Sequence, residues 1–227
     1  MIVIPMANNS PQIPQENLLF WMDFNVPNCL PSGSINAGTI NRTLFTGDLA
    51  NGAVYQPVSA SVNFPAASNN SVINTNFSTG LGNFHAIAIY RCASSTATGA
   101  YQRVLDKSFS NGFYIGRNGT TANSWGGGVR ETGAPFGIFS TFTDNEWQMI
   151  GLSRTGTSIK LWNKGTVVAS KTGSGVAMDG ATLKIGRDIT VAYGLGGWET
   201  AVLIYDRELT TDEMTQIYQY YAPRLNF

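Results

Sequence analysis

The stretch GGWETAVLIYDRELTTDEMTQIY, residues Gly196–Tyr218, decides the fold class. Ala201, Leu203 and Tyr205 alternate with Val202, Ile204 and Asp206, so both faces of this strand are largely apolar. A strand apolar on both sides needs cover on both sides. Cover follows at once in the sequence. Thr210 can cap a helix, with Glu213 as the reciprocal partner of a capping box. Met214, Ile217, Tyr218 and Tyr221 then fall at i, i+3, i+4, i+7 spacing and make one apolar stripe. Pro223 is expected to end the helix. A doubly buried strand running into a capped helix reads as a β-sandwich closed at one edge or end by that helix.

The rest of the chain supports strands. Leu18, Phe20, Met22 and Phe24 form one face of a strand, and Phe84–Arg91 alternates in the same way. Further strands are expected at Arg103–Lys107, Phe113–Arg117, Gly137–Phe142, Trp147–Arg154, Ser158–Asn163, Thr166–Lys171, Thr182–Gly186 and Gly197–Tyr205. Between them stand Ser110-Asn111-Gly112, Asn118-Gly119, Asn163-Lys164-Gly165 and Asp179-Gly180, residues that accept the positive φ of tight turns. Short strands at this spacing point to an all-β jelly-roll sandwich. Residues 28–60 are weakly patterned and read as long loops with a short strand or two. Residues 1–16 hold Pro5, Pro11 and Pro14 and no periodicity, which reads as an extended N-terminal arm ahead of a sandwich spanning 17–227. The apolar Met1, Ile2, Val3, Ile4 and Met6 are the arm's expected docking residues on a partner subunit.

Composition excludes several functions. Fourteen Lys and Arg balance fourteen Asp and Glu, and only 12% of residues are charged. Nucleic-acid binding by phosphate neutralisation needs a basic excess that is absent. No apolar run reaches the length of a membrane span, and the N-terminus lacks the basic region of a signal peptide. Cys29 and Cys92 have no metal or redox spacing and are expected as free thiols.

The C-terminal half carries a recognisable series. It runs NEWQMIGLSRTGTSIKLWNKGTVVAS from Asn145, then ATLKIGRD from Ala181, then the stretch quoted above. Trp147 opens a strand, Ile159–Gly165 forms a hairpin of the type I-x-L-aromatic-N-x-G, and Leu183–Gly186 gives L-x-I-G. The opening LLFWMDF and the segment Ser61–Phe64 fit the same layout. This series resembles the concanavalin A-like lectin/glucanase superfamily in its laminin-G-like branch, over residues 17–222. The resemblance implies a jelly-roll sandwich with one short C-terminal helix. In its unsignalled, Asn-, Thr- and Gly-rich character the chain looks like domains of bacteriophage capsids and tails. That implies a virion protein made in the host cytoplasm, docked to other virion proteins through the arm.

Catalytic chemistry is not legible. Glucanases of the superfamily carry Glu-x-Asp-x-(x)-Glu on one strand, and this chain has no such run. Its densest acids, Asp206, Glu208, Asp212 and Glu213, sit at a helix entry, where they complement the helix dipole. The single His85 lies in a strand pattern, and no nucleophile elbow exists. No enzyme is expected. No cofactor is expected either, although the resemblance implies a structural calcium in some relatives; Asp106, Asp188, Asp144 and Asn145 are the candidate oxygens.

Two functions remain, with a glycoside hydrolase as the third alternative behind them. One is a structural virion component, decorating a capsid or forming part of a tail. The other is a carbohydrate-binding module for attachment to a host surface. Sugar sites pair exposed aromatic rings with planar polar groups. Tyr114, Arg117, Asn118, Asn123 and Trp125 form one such set; Asp188, Tyr193 and Trp198 form another. The glycine runs Trp125–Gly128 and Gly194–Trp198 read as turns or bulges beside these sets.

Overall fold

A computed structural model describes residues 12–25, 31–32, 35–40, 43–50, 53–56, 58–65, 71–93, 101–108, 110–119, 121, 123–131, 134–188, 193–225 and 227. For 31–48 and 134–136 it describes the backbone only. In chain order the strands are β1 (Leu18–Asp23), β2 (Pro31–Ser32), β3 (Ile35–Ile40), β4 (Thr43–Ala50), β5 (Val54–Gln56) and β6 (Ser61–Phe64). Then come β7 (Val72–Thr75), β8 (Phe84–Cys92), β9 (Gln102–Lys107), β10 (Gly112–Arg117), β11 (Ser124–Glu131) and β12 (Ala134–Thr141). The last are β13 (Trp147–Thr155), β14 (Ser158–Asn163), β15 (Thr166–Thr172), β16 (Leu183–Ile185) and β17 (Gly197–Tyr205), followed by α1 (Thr211–Leu225).

These strands form two antiparallel sheets. The eight-stranded sheet runs β15-β14-β13-β8-β17-β6-β5, with β1 also paired to β17. The nine-stranded sheet runs β12-β11-β10-β9-β16-β7-β4-β3-β2. One edge of β17 is thus shared: Gly197–Glu199 pairs with β6, and Ala201–Tyr205 pairs with β1. The handover falls at Thr200, whose hydroxyl donates to the Ala60 carbonyl at 2.7 Å.

Alternation on β8 sets the layers. Phe84, Ala86, Ala88, Tyr90 and Cys92 face the core between the sheets, with Phe20, Phe113, Ile115, Trp125, Leu152 and Ile204. Ile87 and Ile89 face outward, where Met214, Ile217, Tyr221 and Leu225 of α1 cover them together with Leu203 and Tyr205. The doubly apolar β17 is therefore buried from both sides, as its sequence demands. The capping box forms as expected: the Glu213 amide donates to Thr210 Oγ1 at 3.2 Å, and the Thr210 amide donates to Glu213 Oε2 at 2.9 Å. The helix runs two residues past Pro223, which supplies no amide hydrogen to an i→i−4 bond.

Two further sequence expectations change. The weakly patterned 28–60 carries β2–β5, and β3 and β4 pair with each other to extend the nine-stranded sheet. The run Trp125–Gly128 lies in the middle of β11 and makes no turn. The expected arm is described from Gln12, and that part lies on its own sheet and helix. Ile13 is buried under α1, Tyr205 donates to the Pro14 carbonyl at 3.0 Å, and the Gln216 amide reaches the Gln12 carbonyl. Met1, Ile2, Val3, Ile4 and Met6 lie outside the described residues, as does Cys29. Cys92 is a buried free thiol.

Candidate functional site on the nine-stranded sheet

The outer face of β9–β12 builds an open cleft. Phe113, Ile115, Trp125, Val129 and Ile138 point into the core. The residues between them therefore point outward. Register aligns Tyr114 with Gly128 and then Gly137 in one row, and Arg103 with Gly116, Gly126 and Phe139 in the next. Glycines occupy most of this face, so few side chains fill it. An added Cβ at Gly126 would stand 2.0 Å from the Ile138 carbonyl oxygen, and one at Gly137 would stand 2.4 Å from the Phe139 ring. These contacts explain the glycines better than turn chemistry does: at Gly126 the neighbouring strand's backbone leaves no room for a side chain, and at Gly137 the rings of Phe139 and Tyr114 occupy the space.

The resulting cleft measures about 390 Å³ and is lined by Tyr101, Arg103, Tyr114, Asn118, Gly137, Phe139 and Tyr193. That volume is within the range of small-molecule sites, roughly 300–1,000 Å³. Tyr193 is 38% exposed, and its ring lies 5.2 Å from that of Tyr101. The Arg103 guanidinium lies 4.2 Å from the centre of the Tyr114 ring. Behind it, Arg130 grips Asp106 through two hydrogen bonds of 2.6 and 2.7 Å. Burial alone would lower the Arg130 guanidinium; the bonds to Asp106 overcome this and raise it above its usual range. Asp188 is buried at the rear and accepts the Tyr193 amide hydrogen at 3.1 Å.

The residues expected from sequence divide. Tyr114, Asn118 and Tyr193 line this one cleft, and Asp188 braces it, so members of the two expected sets meet. Trp125 does not take part: it is 1% exposed, packs in the core against the Tyr90 ring at a tilt of 48°, and donates to Asp144 at 3.2 Å. Its neighbours on the strand ladder fix this direction, because period-two alternation puts the opposite face at Gly126. Arg117, opposite Trp125 across the ladder, is buried as well. Asn123 is exposed in a left-handed turn at φ 53° and is no part of the cleft lining. Trp198 is half-buried on the other sheet, with the Arg91 guanidinium 4.3 Å from its ring centre. Sequence reading missed Tyr101, Arg103, Phe139 and Gly137. The available signal was the charge in Gln102–Lys107, where Arg103, Asp106 and Lys107 share one strand of a chain poor in charge.

The calcium candidates do not converge. Asp106 is held by Arg130, while Asp144 accepts from Trp125 and Cys92 elsewhere. Among the described residues no group of three or more His, Cys, Asp or Glu is placed to hold a metal ion. His85 is buried beneath α1, where Nδ1 accepts the Leu209 amide hydrogen at 3.2 Å. A second cleft of about 270 Å³, at Asn25, Ser59, Thr200 and Arg224, has no aromatic wall.

No family model matches the chain, and no curated protein matches it in sequence. Solved structures do match in shape. Trypanosoma rangeli sialidase in complex with the inhibitor DANA aligns at a TM-score of 0.67 and 12% identity, covering 96% of this chain and 35% of that one. A structure from a study of botulinum neurotoxin type C, whose cell entry depends on two ganglioside molecules, aligns at 0.60 and 10%, covering 79% and 49%. The binding domain of botulinum neurotoxin DC in complex with SialylT aligns at 0.59 and 9%, covering 80% and 49%. The chain thus spans about half of the neurotoxin chains and about a third of the sialidase chain. At these identities the likeness is one of fold: two packed antiparallel sheets with a C-terminal helix, a lectin-like, concanavalin A-like jelly-roll sandwich.

Proposed function

We propose that this protein is a non-catalytic glycan-binding module whose site is the cleft on the nine-stranded sheet. The observation that carries this reading is the convergence of Tyr101, Tyr114, Phe139 and Tyr193 with the planar polar groups of Arg103 and Asn118 around an open, glycine-floored cleft. Aromatic faces stack on the apolar faces of sugar rings, and the polar groups fix orientation. The structures of similar fold, one from a neurotoxin whose cell entry depends on gangliosides, one in complex with SialylT and one a sialidase in complex with DANA, support the choice of ligand class.

The carboxylates support binding without cleavage of the two-carboxylate kind. That mode of glycoside hydrolysis uses two carboxyl groups flanking the bond, about 5–9 Å apart. Here Asp106 is spent on Arg130, and Asp188 is buried against the Tyr193 backbone. No cofactor takes part in this reading. A virion setting, on a capsid or tail, is supported by the sequence resemblance. There the cleft would attach the particle to host-surface glycan.

A glycan array followed by calorimetry on the best hit tests the proposal. Tyr193→Ala should keep the fold and weaken binding by about 1–3 kcal/mol, the range for stacking a flat ring on an aromatic side chain. An array without hits, binding untouched by this substitution, or release of reducing sugar would overturn it.

A further inference from the structure

We infer that the sugar bound here carries a carboxylate, and that Arg103 is the residue that receives it; this rests on the glycan-binding reading above. Arg103 stands on β9 at the cleft wall and is 8% exposed. Its Nη1 donates to the carbonyls of Gln102 and Arg117 at 3.2 and 3.3 Å, which anchors the side chain to the sheet. Its Nε is buried without a hydrogen-bond partner, 3.8 Å from Asp106 Oδ2. Nη2 makes no hydrogen bond among the described residues and is not shut off from solvent, so it is the donor left for a ligand.

Arg103 and Arg130 share two acids, Asp106 and Asp188, and the close pairing goes to Arg130. Asp106 is the nearest anion, but Arg130 takes both of its oxygens at 2.6 and 2.7 Å. Asp188 favours the charged form of Arg103 from the rear of the cleft, where it also faces Arg130. The guanidinium is meanwhile enclosed by aromatic rings, with centroids 4.2 Å away at Tyr114, 5.5 Å at Tyr101 and 5.6 Å at Tyr193. Those rings screen it from water, so an arriving anion meets a strong, poorly hydrated donor. A neutral hydroxyl accepts one ordinary hydrogen bond there. A carboxylate accepts a charge-assisted one, which is about twice as strong. Tyr193, 38% exposed, remains available to hold the sugar that carries it.

The decisive comparison uses acid and neutral ester of the same glycan. 3′-Sialyllactose and its methyl ester form one pair, and trigalacturonic acid and its trimethyl ester form the other. Each is titrated into the full chain by calorimetry at 20 and 200 mM salt. At least one acid should bind about tenfold or more tightly than its ester, the preference shrinking with salt. Arg103→Gln should erase the difference between acid and ester, and Arg103→Lys should restore part of it. Tyr193→Ala should weaken acid and ester alike. Should Arg103→Gln fail to fold, the acid–ester comparison on the unaltered chain decides alone. Equal affinity for acid and ester, binding of neutral glycans only, or an acid preference that survives Arg103→Gln would overturn the inference and leave the glycan-binding reading standing. Absence of binding to these acids and to every glycan of the array would overturn both.

Discussion

Glu199 offers the sharpest physical test of this structure. It lies on β17 between Tyr90 of β8 and Val62 of β6 and is 0% exposed. Among the described residues neither carboxyl oxygen has a hydrogen-bond partner, and the hydroxyl of Tyr90, its cross-strand neighbour, has none either. Burial therefore pushes the Glu199 carboxyl well above its ordinary value of 4.5. The unfolded chain releases that proton near 4.5, while the folded chain keeps it. Above pH 4.5 the native state thus binds the extra proton, and stability falls as pH rises toward the raised folded value, by about 1.4 kcal/mol per pH unit. Glu199→Gln keeps the shape and removes the titration. The variant should match the parent at pH 4 and gain on it as pH rises to 7, by about 1.4 kcal/mol, or roughly 3–6 °C in Tm for a chain of this size, for each pH unit of the gap. Urea unfolding followed by tryptophan fluorescence at pH 4, 5.5 and 7 reads both ends. A variant no more stable than the parent at pH 7, or a gap that does not grow with pH, would refute the account of a carboxyl held neutral by burial.

Two further outcomes follow from the same structure. Burial lowers His85 to about 3, with Glu213 pulling upward and Arg207 and Lys160 downward; since the unfolded imidazole takes its proton near 6.5, this group lowers stability as pH falls from 6.5 toward 3. Its ring protons should show no titration by NMR between pH 4.5 and 8 in the folded protein, and a midpoint near 6.5 would contradict the placement. Gly137→Ala would set a methyl group 2.4 Å from the Phe139 ring and 2.9 Å from the Tyr114 hydroxyl; it should leave the melting temperature within a few degrees yet weaken glycan binding by about tenfold, and unchanged affinity would remove Gly137 from the site.

What sequence reading recovered depends on the range of the interaction. β14 and β17 match their expected bounds because apolar alternation is local. The Thr210–Glu213 box was legible for the same reason. The cleft is assembled by register between strands, and register is not written in any one strand. Tyr101, Arg103 and Phe139 meet only because β9 pairs with β10, β10 with β11 and β11 with β12. The glycines of β11 gave a second obstacle. They leave no hydrophobic pattern, so Trp125 read as a platform beside a turn, whereas it is a core residue of a strand whose other face is bare. Likewise β3 and β4 acquire their place from each other and from β7, while INAGTI and TLFTGDLA are weakly patterned alone.

The shared edge of β17 has a consequence for how the molecule reaches its native state. β17 is the last strand in the sequence, yet it stands inside its sheet, against β8 on one side and against both β6 and β1 on the other. Until Gly197–Tyr205 leaves the ribosome, the two halves of that sheet have nothing to join them. The pairing of Leu18 with Tyr205 closes a loop of nearly the whole described chain, and closure over such distances makes folding slow, on the scale of milliseconds to seconds. During synthesis β1, β6 and β8 therefore wait with open, apolar edges, the condition in which nascent chains recruit chaperones or pair with one another. Insertion of β17 and docking of α1 end that exposure in a single late step.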